Sequence, residues 1–148
     1  MVQPAGNGVQ APPRQAGGGG GPATYSSNLN SLLAGMIART PGAVHAVMAT
    51  VDGVQIAVSA GLPPERADQL ATIGAGLLSI ADGAGIMMNT GTPRHVVVEM
   101  YGGLLLAAPV APRVVLSLLA AENADRERLG FELAQFAGLI TPHVSHIK

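Results

Sequence analysis

Residues Pro63 to Met88 read PPERADQLATIGAGLLSIADGAGIMM, and the spacing of their apolar side chains decides how the rest of the chain is read. As one helix, the stretch sorts into three sectors. Ala67, Leu70, Ala71, Gly74, Leu77, Leu78, Ala81, Ala84, Gly85 and Met88 follow the i, i+3, i+4, i+7 rule and form an apolar stripe. Asp68, Thr72, Ala75, Ser79 and Asp82 step along a flank as a narrow polar strip. Roughly opposite the stripe runs a second apolar seam of Ile73, Gly76, Ile80, Gly83 and Met87. A helix on the outside of a small domain needs one apolar face. A second one predicts a helix that packs on its own sheet and meets a partner with its far side.

The glycines sharpen this expectation. Gly74, Gly76, Gly83 and Gly85 each weaken a helix by roughly 1 kcal/mol relative to alanine. Close approach of another backbone would compensate; the alternative is a helix that breaks at Gly83-Ala84-Gly85. In either case Ile73 and Ile80 point outward, each worth ~1.5–3 kcal/mol when a partner buries it. About twenty-four helical residues span about 36 Å, against about 19 Å across five strands. The helix is expected to overhang its sheet.

Composition narrows the function. The chain has 148 residues, enough for one domain with a real core. Only 11% are charged and the net charge is −1, which argues against a nucleic-acid surface. The aromatics Tyr25, Tyr101, Phe131 and Phe136 are too few for base stacking. No cysteine occurs, which excludes disulfides, thiolate catalysis and finger-type zinc sites. No run of about 18 apolar residues lacks polar interruption, so no membrane span is expected. No basic start precedes an apolar block, so no secretory signal is read, and a cytoplasmic protein is expected.

Outward from the helix, the segment 1–24 holds four prolines, seven glycines and one charge, Arg14. Such a segment cannot offset its ordering entropy, and a disordered Gly/Pro-rich tail is expected. The domain is placed at 25–142, with a short tail at 143–148. Leu29, Leu32, Leu33, Met36 and Ile37 form a one-sided helix with Ser26 or Ser27 as N-cap and Pro41-Gly42 as its stop. AVHAVMAT and VQIAVSA flank Asp52-Gly53, a two-residue hairpin signal. RHVVVEM and LLLAAPV are joined by Tyr101-Gly102-Gly103, and RVVLSLLA is apolar enough to be central. A last helix runs from about Asp125 to Ile140, with Pro142 stopping it. The order of helix, two strands, helix, three strands, helix predicts an α+β fold with an antiparallel sheet between helices.

Chemistry is hard to find. His45 and His95 are read as strand residues, hydrogen-bonded or exposed. His143 and His146 lack a third ligand. Glu99, beside Arg94 and His95, reads as exposed or ion-paired. Ser59, Ser79 and Ser117 have no G-x-S-x-G context. The run Gly74 to Ser79 imitates a dinucleotide fingerprint, but it falls inside a helix, and no P-loop exists. No catalytic, cofactor or metal residue is predicted.

The wording LNSLLAGMIARTPGAVHAVMATVDGVQIAVSAGLPPERADQLATIGAGLLSIADGA, followed by RHVVVEMYGGLLLAAPV, resembles the roadblock / dynein light chain family in its bacterial branch. The resemblance spans about residues 27–141. It joins the Asp-Gly hairpin, the ADQLA that opens the long helix, and VVVEMYGGLLL. It implies a roadblock-like sandwich: a five-stranded antiparallel sheet in order 2-1-5-4-3, two helices on one face and the long helix on the other. It also implies a homodimer. The third strands, with Arg94, Val96 and Val98, would pair, and the long helices would meet through Ile73, Gly76, Ile80, Gly83 and Met87.

Such dimers dock on small Ras-like GTPases as activators or scaffolds. In bacterial signalling complexes they accompany a histidine-kinase-like membrane protein, through which a cytoplasmic subunit would reach the membrane. The family brings no catalytic residue and no cofactor. Arg66, near the start of the long helix, is read as partner-facing but not as an arginine finger. Two other readings stand beside this one. One is a self-assembling or bridging module without a GTPase. The other is a small-ligand sensor, for which the sequence offers no convergent polar pocket.

Overall fold

The seven residues VVLSLLA (Val114–Ala120) have no face polar enough for water. In the computed structural model, which describes residues 22–144, they form β5 at the centre of the sheet. The elements run α1 (Pro22–Arg39), β1 (Ala43–Thr50), β2 (Gln55–Val58), α2 (Pro64–Met88), β3 (Val96–Met100), β4 (Gly103–Ala111), β5 (Val114–Ala120) and α3 (Arg126–Val144). The strands pair antiparallel in the order β2-β1-β5-β4-β3. The two faces of β5 divide the core. Val114, Leu116 and Leu118 join Leu29, Leu33, Met36, Leu129, Phe136 and Ile140 under α1 and α3. On the other face Val115 joins Leu78 and Ala107 under α2, beside a cluster of Val47, Ala49, Ala67, Leu70, Ala71 and Leu105.

The layers differ in kind. Large side chains fill much of the layer under α1 and α3, whereas small residues such as Ala67, Ala71 and Gly74 face the sheet from α2. Gly74 stands directly over Ser117, and a Cβ there would overlap the serine hydroxyl. By length and composition α2 is the one described helix able to cross a membrane, yet seven of its residues are buried in the domain. The helix does not break at Gly83-Ala84-Gly85. It runs to Met88 and ends on Asn89 in the left-handed region (φ 60°), whose N–H bonds back to the helix. The carbonyl of Gly91 lies against Gly85, where no side chain would fit.

Several boundaries differ from those read in the sequence. The first helix already includes Pro22, ahead of the Ser26 or Ser27 expected to cap it. Pro22, Ala23 and Thr24, assigned to the tail, are therefore helical. The rest of that tail, 1–21, lies outside the described residues, as do 145–148. Pro142 does not stop α3, which runs on to Val144. Val144 is 1% exposed in the main core, and its packing holds the final turn despite the one hydrogen bond proline removes.

Four residues, Val51 to Val54, separate β1 from β2, not two. Thr50 N–H bonds to Val54 O and Gly53 N–H to Thr50 O, with Gly53 at φ 87°. This is a turn followed by a left-handed glycine, not the two-residue Asp-Gly form, which needs positive φ at Asp52 as well. β3 begins at Val96, not at Arg94. The register of Val96 opposite Ala107 would set Arg94 opposite Pro109, which has no N–H to give, and Pro93 precedes it. His95 accordingly lies just before the strand, not within it.

Candidate partner-binding surface

The polar groups outside α2 are largely accounted for by the fold, except His45, expected to be hydrogen-bonded or exposed, whose Nδ1 is buried with no hydrogen-bond partner among the described residues. Asp125 caps α3, its carboxylate accepting from the N–H of Glu127 (2.9 Å) and Arg128 (3.2 Å). Glu132, nearly buried, takes Arg128 at 3.0 Å and Arg39 at 3.6 Å, tying α3 to the end of α1. Glu99 pairs at 2.6 Å with Arg126, not with the neighbouring Arg94. Ser59 accepts from the N–H of Ala46, and Ser117 lies under Gly74. Among the described residues no group of three potential ligands could hold a metal ion; His146 lies outside them.

The outer side of α2 has no such explanation. Ile73 is 49% exposed, Ile80 75% and Met87 76%, in one line along the helix. Gly76 and Gly83 interleave with them, and a Cβ at either would meet nothing within 4 Å. The four glycines therefore divide into two kinds. Gly74 and Gly85 are small because this chain's own atoms press on them; Gly76 and Gly83 open onto free space. The seam ends in Ile86, Met87 and Met88, all exposed, where the helix has passed beyond its support.

Beside α2 the sheet itself is uncovered. Val96 and Val98 are half-buried on this face, Val98 packing with the Leu70 cluster and Val96 with the Leu78 cluster. Ile73, Met100, Leu105 and Leu119, together with the polar His45, Glu65, Arg66 and Gln69, line a cavity of about 620 Å³ between the first half of α2 and the sheet. β3 is also an edge strand, its outer backbone groups unpaired in the monomer. A partner approaching here would find an apolar helix face, an apolar strip of sheet and an open strand rim on one side of the molecule.

The Roadblock/LC7 domain family model matches residues 29–120. This chain belongs to the Roadblock/LC7 family. The crystal structure of a Roadblock/LC7 domain from Streptomyces avermitilis is 33% identical in sequence and superposes with a TM-score of 0.75, over 78% of this chain and 97% of that one. MglB of Myxococcus xanthus superposes at 0.73 with 13% identity, over 82% of this chain and 98% of that one. An MglB with a tetrameric arrangement gives 0.71 at 16% identity, over 82% and 90%. At those identities the likeness to MglB is one of fold. No curated protein matches the chain.

In this roadblock domain the site residues expected from sequence fall into two groups. Ile73, Gly76, Ile80, Gly83, Met87, Val96 and Val98 share the α2 side. Arg94 does not join them: it precedes β3 and lines a cavity of about 720 Å³ on the opposite side, with His95, Arg126 and Gly130. Ala84 and Met88, assigned to the buried stripe, are exposed because the helix has run past its sheet, and Ala75, assigned to the polar strip, is buried. Ile86 and Met100 were missed. For Ile86 the unbroken run Ile86-Met87-Met88 was the signal, since three successive apolar residues cannot all face one side of a helix.

Proposed function

We propose that this Roadblock/LC7 domain works as a non-catalytic homodimer that binds a small Ras-like GTPase as a regulatory or scaffold subunit of a bacterial signalling complex. The observation that carries the reading is the seam Ile73, Gly76, Ile80, Gly83 and Met87, apolar, solvent-exposed and free of side chains at its two glycines. A second copy would bury the isoleucines and bring backbone against backbone at the glycines, with β3 alongside β3. The GTPase and a histidine-kinase-like membrane protein come from the family resemblance, and recruitment of a cytoplasmic dimer to the membrane would follow from the latter.

Ile73→Glu combined with Ile80→Glu should halve the mass measured by light scattering. It should also abolish capture of a nucleotide-loaded small GTPase from the same genome. Unchanged mass and unchanged capture would remove the support for this reading. A dimer that captures no GTPase in either nucleotide state would favour the bridging module.

A further inference from the structure

The polar strip of α2 has a destination that the partner surface does not use. Ala75, Ser79 and Asp82 line a cavity of about 230 Å³ between the second half of the helix and the far end of the sheet. Ala75, Leu78 and Val115 form its apolar wall, Thr92 adds a hydroxyl, and Arg113 is also in its lining. Among the described residues Asp82 has no hydrogen bond and no ion pair. The Arg113 side chain is held, among the described residues, only by Asp52 at 3.8 Å, with both side chains more than half exposed, a pairing that solvent largely screens.

The backbone at Arg113 points the same way. Ala111 pairs with Val114 across the two-residue turn Pro112-Arg113, and Arg113 has φ 62°. Proline followed by a left-handed residue is a turn that favours glycine at the second position. An arginine at this position, where glycine would be easier, sets a guanidinium beside the cavity at some cost in backbone strain.

We propose that this cavity binds an aliphatic α-amino acid, with its ammonium on Asp82, its carboxylate on Arg113 and its side chain on Ala75, Leu78 and Val115. A nucleotide is too large, since sites for drug-sized ligands begin near about 300 Å³. A simple anion would face the Asp82 carboxylate and a simple cation the Arg113 guanidinium, so a molecule carrying both charges and an apolar body fits the lining. This goes beyond the dimer and GTPase reading and does not depend on it, because neither Ile73 nor Ile80 lines the cavity.

The test is calorimetric titration of the purified full chain with L-leucine, 3-methylbutylamine and 4-methylpentanoate, which carry both charges, only the ammonium and only the carboxylate. L-Leucine should bind, and each half-analogue should bind at least about tenfold more weakly. Asp82→Asn and Arg113→Gln should each lose about tenfold in affinity while melting, without ligand, at the temperature of the parent. Ala75→Leu, which fills the cavity and touches neither charge, should abolish binding. The Ile73→Glu, Ile80→Glu variant should still bind, which separates this site from the seam. No binding of leucine, valine or isoleucine at millimolar concentration would overturn the proposal. So would equal binding of either half-analogue, or undiminished leucine binding by Asp82→Asn.

Discussion

Glycine carries two meanings along one helix. At Gly74 an added methyl group would collide with Ser117, so Gly74→Ala should destabilise by about 1–3 kcal/mol through overpacking. At Gly76 the same substitution meets open space and should raise the stability of the isolated subunit by up to about 1 kcal/mol through helix propensity. Thermal melts of the two variants, at a protein concentration low enough to keep chains apart, would show shifts of opposite sign. Glu132 offers a second residue-level check. Arg128→Ala removes its shorter ion pair and leaves a nearly buried carboxylate to Arg39 at 3.6 Å. Chemical denaturation should show a loss of about 1–3 kcal/mol. The sequence displayed all four glycines in α2 but could not tell which were pressed from inside. That depends on the register of α2 over β5, a tertiary fact.

Among the elements, periodicity was read well where burial was one-sided or complete. AVHAVMAT matched β1 residue for residue, and the apolar run of β5 located the centre of the sheet. Misreadings gathered at prolines and turns. Pro142 was given its usual effect, but Val144 packing outweighed it. The Asp52-Gly53 pair announced a hairpin correctly but not its loop length, because the same dipeptide serves two turn geometries. That geometry makes a prediction: Gly53→Ala forces an L residue to φ 87° and should destabilise by about 1 kcal/mol, visible as a lower melting temperature. β3 lost two residues to Pro93 and Pro109, a cross-strand relation invisible until the register was known. Arg94 moved away from the candidate interface for the same reason.

For the molecule as a whole, the helix and strand order was legible and the fold followed from the family resemblance it supported. The exposed apolar surface proposed for a partner was half legible: the seam on α2 came directly from spacing, whereas the open sheet beside it needed the strand order. The cavity holding Asp82 was not legible at all, since its walls come from α2, β5, the loop before β3 and the β4–β5 turn. With no catalytic cluster predicted, purified protein incubated with GTP or ATP should release no phosphate above the buffer rate. Steady turnover that tracks the protein through purification would contradict the non-catalytic reading.

The prolines that shorten β3 also limit what that border can do. Five residues make a rim about 17 Å long, closed at one end by Pro93 and turned back at the other by Tyr101-Gly102. Any strand added there gains only a handful of main-chain bonds, each worth about 0.5–1.5 kcal/mol net. In the proposed dimer, joined sheets would thus be a fastening that sets alignment, while the greasy rods above would provide the grip. Loosening the rods would let two subunits part even with every atom of the border intact.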